Sequence, residues 1–240
     1  MSGTDYERYW TAKGFNPAQA VPASLAAFLE QNVRSNERCL DVGCGPGGGP
    51  ASWLSHRARS YVGVDVSHAA VDTARSAGLD VRHIDDASAL PFPDGSFDVV
   101  TCIEVLEHLV APVDAARQAL RVLRPGGRFL VTVPNVAYWR RRVDLALLGR
   151  WNPLGDDQSA QRPWRDPHLR FFGEANLRAM LAEAGFDPVS TGGHGGSWRR
   201  DIPRLRRLAG SGEPGAVYRR LTARFPTLFA HHLHAVATKP

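Results

Sequence analysis

The sequence predicts an α/β fold in which a mostly parallel sheet is covered by helices on both faces. Two observations support this prediction. Short apolar segments alternate with amphipathic segments through the first 135 residues, which is the pattern of repeated strand–helix–strand units. The strand segments are apolar at nearly every position, which is typical of strands whose two faces are both buried.

Five strands are predicted in the first part of the chain, with helices or turns between them. Ser67 is placed to cap the helix that follows the second strand, and Gly78 is placed to end it. A Pro-Gly-Gly turn at 125–127 leads into the fifth strand. An amphipathic helix at 174–185 and two more strands complete the pattern. The predicted strands cover residues 38–42, 60–66, 79–84, 97–103, 127–133, 186–190 and 232–238.

Length and composition indicate one globular domain with insertions, since the chain has 240 residues, of which 43% are hydrophobic. The first residues are charged and polar rather than an apolar secretory run, and no window approaches the roughly 18 apolar residues of a membrane span. We therefore expect a cytoplasmic protein. Cys39, Cys44 and Cys102 are an odd count without metal-ligand spacing, which predicts buried reduced thiols.

The formal charge of +5 raises the question of an anionic partner. Arginines concentrate in residues 140–170 and 199–224, so the basic excess is local. A solvated arginine surface is the simplest interpretation. Contact with an anionic substrate or a membrane surface is the alternative.

A glycine-rich loop, DVGCGPGGGP, follows the first strand and opens a helix. Gly43, Gly45 and Gly48 satisfy the dinucleotide spacing, whereas Gly43, Gly45 and Gly47 satisfy the G-x-G-x-G spacing of methyltransferases. A pyrophosphate at this turn would be opposed by the nearby carboxylate of Asp41. S-adenosylmethionine carries a sulfonium and an ammonium and no phosphate, so an acidic strand end suits it better.

Four segments resemble the motif blocks of class I S-adenosylmethionine-dependent methyltransferases, in the expected order across residues 38–135. They are LDVGCGPGGG, YVGVDVS, DDASALPFPDGSFDVVTC and LRPGGRFLVTVPN. The chain resembles in particular the ubiquinone-biosynthesis O-methyltransferase-like group, methyltransferase types 11 and 12. The resemblance implies a Rossmann-like, seven-stranded, mostly parallel sheet with a last antiparallel strand.

The resemblance also implies the roles of the cofactor-binding residues. The first block is expected to contact the methionine part, the second the ribose, and the third the adenine, with one residue of the fourth strand near the sulfonium. Asp85 stands where relatives often have glycine, so the choice between it and its neighbour for adenine stays open. The expected cofactor-binding residues are Asp41, Gly43, Gly45, Gly47, Asp65, Val66, Asp86, Ala87 and Ile103.

The stretch CIEVLEHL places Glu104, Glu107 and His108 three and four positions apart, as on one turn of helix, after the fourth strand. Catalysis by Glu104 and His108, with His108 as general base for an acceptor hydroxyl, is one interpretation. A divalent metal site is another, because E-x-x-E-H resembles the metal motif of ubiquinone-biosynthesis and small-RNA 2′-O-methyltransferases. That resemblance implies His168 as a fourth ligand. A purely structural helix start is the third.

The chain is predicted to be one domain, residues 1–240, whose variable parts select the acceptor. We expect an N-terminal helical lid at 1–34, a cofactor-binding core at 38–135, a substrate insertion at 135–172 and a basic helical insertion at 195–230. Aromatic residues of these parts, among them Tyr138, Trp139, Trp151 and Trp164, are candidate walls of an acceptor site, with ordinary packing as the alternative.

The predicted function is O-methylation of a small phenolic, sugar or natural-product acceptor, anionic or aromatic in character. S-adenosylmethionine is the expected cofactor, and a divalent metal such as Mg²⁺ is the optional second one. An RNA 2′-O-methyltransferase is an alternative, although the sequence contains no recognisable RNA-binding module and nucleic acid is therefore not the favoured partner. A non-catalytic cofactor-binding protein and a nicotinamide oxidoreductase are two further interpretations of the glycine loop.

Overall fold

Seven strands form one sheet in the computed structural model, which describes residue 7 and residues 20–151, 167–195 and 215–240. The strand order is β3-β2-β1-β4-β5-β7-β6. β1 to β5 pair in parallel, and β7 is antiparallel to both of its neighbours, which confirms the predicted fold class. The strands are β1 Arg38–Val42, β2 Ser60–Asp65, β3 Val81–His83, β4 Phe97–Ile103, β5 Leu123–Pro134, β6 Val189–His194 and β7 His232–Thr238.

Helices cover both faces of this sheet, as the apolar strands require. A 3-10 turn, Leu106–His108, follows β4. The helices are α1 Ala23–Asn32, α2 Pro50–Arg57, α3 His68–Ser76, α4 Pro112–Val122, α5 Trp139–Leu148, α6 Glu174–Glu183, α7 Gly215–Arg224 and α8 Pro226–Phe229. None of the helices within the described ranges combines the length and the apolar character that crossing a bilayer requires.

Alternating side chains divide the strands between two hydrophobic clusters. In β5, Phe129 belongs to the cluster built with α4 and α6, whereas Leu130 belongs to the cluster built with α1, α2 and α3. Both side chains are fully buried or nearly so. The sheet is therefore sandwiched between helices.

Local signals define both ends of α3. The Ser67 hydroxyl accepts a hydrogen bond from the Ala70 amide at 3.1 Å, which caps α3, and Gly78 follows the helix with φ of 86°. β5 begins at Leu123, before the Pro-Gly-Gly segment that was predicted to precede it. The ladder with β4 shifts register at this point, and this irregularity admits the glycines.

Parts of the predicted lid and insertions lie outside the described residues, namely 1–6, 8–19, 152–166 and 196–214. Of the predicted lid, α1 packs into the core through Leu25, Phe28 and Leu29. Tyr138 is also fully packed, and its hydroxyl lies 3.1 Å from the Tyr218 hydroxyl. Of the candidate acceptor-site walls, Tyr138 is therefore explained by ordinary packing. Trp164 lies outside the described residues. The three cysteines are buried and free, as predicted.

Candidate functional site

A pocket of about 300 Å³ opens at the carboxyl ends of β1 to β4, the edge where open parallel sheets bind ligands. Its wall contains three carboxylates, the imidazole of the predicted catalytic residue His108, and apolar side chains. The carboxylates are Asp65, Asp85 and Asp86, and the apolar residues include Ile84, Val105 and Leu109. Five of the predicted cofactor-binding residues line this pocket, and they are Gly43, Asp65, Val66, Asp86 and Ala87.

The glycine loop brings backbone close to the pocket because side chains are excluded from it. Gly43 has φ of 76°, and a Cβ there would overlap Cγ2 of Val105. Gly47 has φ of 87°, and its Cβ would lie 2.8 Å from the Leu79 side chain. Both the left-handed backbone and the lack of space therefore require glycine at these two positions.

Asp65 joins the glycine loop to the end of β2. Its Oδ2 accepts a hydrogen bond from the Gly45 amide, and its Oδ1 accepts one from the Ser67 amide, each at 2.9 Å. Burial raises the pKa of Asp65, and the three backbone hydrogen bonds of the carboxylate oppose that rise. The carboxylate lines the pocket while it holds the loop, so it both shapes the site and supplies acceptors for a ligand.

Asp41 lies one strand away and is more enclosed. Its oxygens accept hydrogen bonds from the Thr101 hydroxyl at 2.7 Å and the Tyr61 hydroxyl at 3.2 Å. Burial is the main cause that raises the pKa of Asp41 to about 6, and the charge of Asp65 adds to it. Asp41, Gly45, Gly47 and Ile103 are not among the pocket-lining residues. Their expected contact with a cofactor stays a prediction.

Asp85 and Asp86 both line the pocket, so the sequence ambiguity between them persists in the structure. Oδ1 of Asp86 accepts a hydrogen bond from the Ser88 amide at 2.8 Å, which fixes the loop after β3. That contact leaves the second oxygen of the same carboxylate for a ligand.

The expectation that Glu104, Glu107 and His108 share one helical turn is wrong. Glu104 has φ of 56° and continues the sheet, because its amide donates to the Thr132 carbonyl at 3.0 Å. The 3-10 turn begins only two residues later. The Glu104 side chain accordingly points toward β5 and β7, and the other two residues form a different cluster.

Glu104 is paired with a histidine that the sequence interpretation missed. Its Oε1 accepts a hydrogen bond from the Thr132 hydroxyl at 2.8 Å, and its Oε2 lies 3.0 Å from Nδ1 of His232. Burial alone would raise the pKa of Glu104, but His232 and the two hydrogen bonds outweigh burial and hold that pKa below its ordinary value. No pattern in the sequence near His232 indicates this pairing, because the two residues are 128 positions apart.

Glu107, His108 and His168 form the second cluster, in which one ligand atom from each residue lies within 4.8 Å of the others. Oε1 of Glu107 is 4.0 Å from Nε2 of His108 and 3.9 Å from Nε2 of His168. His168 reaches this position because the Glu107 carbonyl accepts hydrogen bonds from the Leu169 and Arg170 amides. The structure thus brings together three of the four predicted metal ligands.

The Glu107 carboxylate is the least satisfied group of this cluster. Its side chain is almost fully buried, and neither of its oxygens has a hydrogen-bond partner among the described residues. Burial, followed by the charge of Glu104, raises the pKa of Glu107. One carboxylate with two imidazoles suits a divalent transition metal. It suits Mg²⁺ less well, because Mg²⁺ prefers oxygen ligands.

Three histidines on β6 and β7 complete the polar edge, and we call His194, His232 and His234 the histidine strip. The rings of His194 and His232 are 5.5 Å apart, and Nδ1 of His194 is 3.4 Å from Nδ1 of His234. Burial lowers the pKa of His194 to about 3 and that of His234 to about 4, so both rings are neutral near pH 7. A Cβ at Gly192 would lie 2.5 Å from the His234 ring, so glycine makes room for the strip.

Comparisons with known proteins agree with this architecture. A family model described as a methyltransferase domain matches residues 6–191. A probable S-adenosylmethionine-dependent methyltransferase of Mycolicibacterium smegmatis is 38% identical over 193 residues, which are 80% of this chain and 64% of that protein. A ubiquinone biosynthesis O-methyltransferase of Idiomarina loihiensis is 28% identical over 199 residues, 78% of this chain and 77% of that protein.

Solved structures give the same result for the fold. The crystal structure of a SAM-dependent methyltransferase from Archaeoglobus fulgidus superimposes with a TM-score of 0.60 at 17% identity, covering 90% of this chain and 93% of that one. At that identity the likeness concerns the fold alone. This likeness in fold is joined by the family match over most of the chain, the glycine loop and the acidic pocket. These findings lead to one conclusion. The chain belongs to the family of S-adenosylmethionine-dependent methyltransferases.

Proposed function

We propose that the protein transfers the methyl group of S-adenosylmethionine to a hydroxyl of a small-molecule acceptor, with a phenol as the first candidate. The observation that carries the proposal is the acidic wall of the pocket, formed by Asp65, Asp85 and Asp86 beside the glycine loop. Such a wall opposes a diphosphate cofactor, and its carboxylates can accept hydrogen bonds from the nucleoside of a cofactor that carries no phosphate. The ubiquinone biosynthesis O-methyltransferase among the relatives supports oxygen as the acceptor atom.

Each part of the pocket has a role in this proposal. Asp65 accepts the ribose hydroxyls, and Asp86 with Ala87 contacts the adenine. Gly43 permits close approach of the methionine part, since it carries no side chain. Most of the rate enhancement comes from holding the acceptor oxygen, the methyl carbon and the sulfur in line. The cytoplasmic location stays a prediction from the sequence.

Cofactor binding is tested by calorimetric titration of the protein with S-adenosylhomocysteine, NAD⁺ and NADPH. We expect binding of S-adenosylhomocysteine and no binding of either nicotinamide nucleotide. Asp65→Ala should weaken binding, whereas Asp72→Ala, on the exposed side of α3, should not. Binding of NADPH alone would reject the proposal in favour of an oxidoreductase.

The acceptor class is tested with radiolabelled S-adenosylmethionine and three sets of acceptors: catechols, sugars and short RNA duplexes. Label in the methyl ether of a catechol or a sugar supports the proposal. Label at a ribose 2′-hydroxyl, together with salt-dependent retention of RNA, would replace it with RNA methylation. Cofactor binding without transfer to any acceptor would favour a non-catalytic cofactor-binding protein.

We propose, as a second element, that Glu107, His108 and His168 bind a divalent transition metal. The specific observation is the buried Glu107 carboxylate without a hydrogen-bond partner among the described residues, which two imidazole nitrogens face at 3.9 and 4.0 Å. A bound ion would satisfy this carboxylate, and it would lower the pKa of a coordinated hydroxyl. The ring of His108 is oriented by the contact of its Nδ1 with the Pro167 carbonyl at 3.2 Å.

The metal proposal is tested without activity, by the visible spectrum and the thermal unfolding of the protein with Co²⁺ or Mn²⁺. A bound ion at 100 times its Kd should stabilise the fold by about 2.7 kcal/mol. Glu107→Gln and His168→Gln should abolish the effect, whereas Glu30→Gln, on the exposed side of α1, should keep it. If the stabilisation survives Glu107→Gln, this metal site is rejected.

A further inference from the structure

We propose that His232, held by Glu104, is the general base that removes the proton from the acceptor hydroxyl. This inference rests on the proposed O-methylation and adds a residue and a chemical role to it. Neither residue belongs to the cluster of Glu107, His108 and His168. Three features support the role: the position of the pair along the sheet edge, its hydrogen bonds and the backbone at Glu104.

Glu104 and His232 lie beyond the cofactor pocket along the same edge of the sheet. The strand order runs from β3 through β2 and β1 to β4, β5 and β7. The adenosine part is expected at Asp65 and Asp86, near β2 and β3, and the methionine part at Gly43, after β1. Glu104 follows β4, and His232 opens β7 beside the last residue of β5. His108 lines the pocket itself, and Glu104 and His232 are polar groups farther along the same edge, toward β5 and β7.

The hydrogen bonds define which nitrogen of His232 is basic. A carboxylate oxygen only accepts, so Nδ1 of His232 donates to Oε2 of Glu104 over 3.0 Å, and in the neutral ring Nε2 is then the nitrogen without a proton. The other Glu104 oxygen accepts from the Thr132 hydroxyl, which orients the carboxylate. About a third of each side chain is exposed, 35% for His232 and 33% for Glu104, so an acceptor can reach the pair. A base oriented by a third group is the usual arrangement for activating a hydroxyl nucleophile.

The proposed step transfers one proton to His232 and one methyl group to the acceptor oxygen. The O–H bond of the acceptor breaks, and its proton binds Nε2 of His232. The oxygen uses the freed electron pair to form a bond to the methyl carbon. The carbon–sulfur bond breaks, and its electron pair stays on sulfur as the neutral thioether of S-adenosylhomocysteine. The imidazolium that results faces the Glu104 carboxylate, which stabilises its positive charge.

The backbone supports a functional role for Glu104. It is the one described non-glycine residue with positive φ, at 56°. A left-handed backbone is unfavourable for a residue with a side chain, and such residues concentrate at functional sites. Glycine would relieve this strain, so the presence of glutamate indicates that the carboxylate is needed there. Its amide bond to the Thr132 carbonyl keeps the conformation in place.

Titratable and uncharged groups face His232 from the neighbouring elements. His194 of β6 and His231 at the start of β7 each have a ring centre 5.5 Å from that of His232. His234 is the next residue on the same face of β7, and β5 contributes the uncharged Thr132. Glu107, in the turn after β4, is affected by the charge of Glu104, which adds to the rise in the Glu107 pKa that burial causes. From α1 comes uncharged Phe28, which stacks on His234 at 4.4 Å.

The first test is methyl transfer by His232→Gln and Glu104→Gln at saturating S-adenosylmethionine. We expect kcat to fall by roughly 100-fold or more in His232→Gln, since general bases contribute about 10²–10⁴-fold. S-adenosylhomocysteine affinity should stay within about twofold of the wild type. The double variant should be no slower than the slower single one, because the two residues act as a unit. His56→Gln, on the exposed side of α2, is the matched control and should keep full activity.

The pH dependence of kcat/KM separates a catalytic role of His232 from a structural one, because a merely structural role would leave that dependence unchanged. Wild-type kcat/KM should fall toward acid as the base becomes protonated, and His232→Gln should lose that acid limb. A second measurement, the ¹⁵N NMR spectrum of the His232 ring, needs no acceptor. It should report protonated Nδ1 in the wild type and a mixture of tautomers in Glu104→Gln.

Three outcomes overturn the inference. One is wild-type transfer to oxygen with His232→Gln within about threefold of the wild type. The second is an unchanged acid limb in that variant, and the third is a His232 ring protonated at Nε2 instead of Nδ1. Failure of the proposed function looks different, because the wild type itself would methylate no oxygen acceptor, and the inference would then fall with it.

Discussion

Replacing Asp41 with asparagine should make the protein more stable near pH 8, although the residue lies at the candidate site. Burial raises the pKa of Asp41 from 3.8 to about 6. This rise means that the ionised form costs the folded state about 3 kcal/mol above pH 6, at about 1.36 kcal/mol for each pH unit. Asparagine keeps an oxygen for the Thr101 hydroxyl and an amide for the Tyr61 oxygen, so both hydrogen bonds of the carboxylate can be retained.

The direction of this pH dependence follows from how tightly the folded and the unfolded states bind the Asp41 proton. The folded state holds the Asp41 proton more tightly than the unfolded chain, so the cost of ionised Asp41 is complete above pH 6 and disappears as the pH falls toward 4. The advantage of Asp41→Asn should therefore be about 3 kcal/mol at pH 8 and roughly half of that at pH 5. Taking the difference between the two proteins at each pH removes the contributions of the other carboxylates.

Urea denaturation of the ligand-free proteins at pH 8 and pH 5 measures this difference. With a slope of about 3 kcal/mol per molar urea, the midpoint at pH 8 should rise by roughly 1 M. A variant that is less stable than the wild type at pH 8 would refute the reasoning. An advantage that does not change between the two pH values would refute it as well, because it could not come from ionisation of Asp41.

Three further substitutions test the loops around the pocket. Gly43→Ala should lower the free energy of unfolding by roughly 2–4 kcal/mol, because the new methyl group would meet Val105 on a left-handed backbone. Val105→Ala should rescue part of that loss in the double variant, and no rescue would contradict the clash. Ser67→Ala should cost about 1 kcal/mol by removing the cap of α3, as measured by urea denaturation. Glu107→Gln without metal should stabilise the protein near pH 8, since burial raises the pKa of this carboxyl; a loss of stability there would contradict that.

The pocket beside the glycine loop could be predicted from sequence because the residues that shape it are close together in the chain. Gly43 and Asp65 follow strands whose apolar patterns are visible, and parallel strands bring their carboxyl ends to one edge. The metal-ligand set was only partly predictable. Glu107, His108 and His168 do converge, but Glu104 turns away because pairing between β4 and β5 extends to its amide.

The pairing of His232 with Glu104 could not be predicted from the sequence, for a physical reason. It lies 128 positions after Glu104, and only the antiparallel insertion of β7 beside β5 brings the two together. Nothing local in HLHAVAT distinguishes an active-site histidine from one packed on a strand surface. Partner selection over such a distance depends on sheet order and register, which the sequence pattern does not specify.

Local residue patterns were enough to specify the parallel sheet, the glycine loop and the carboxylate at the end of β2, because periodicity and turn residues act over a few positions. Which acidic side chain faces which histidine emerges only in the folded chain. That pairing depends on the left-handed backbone at Glu104 and on the neighbour that β7 finds in the sheet. Backbone conformation and strand order are settled by packing of the whole domain, and local residue preferences do not encode them.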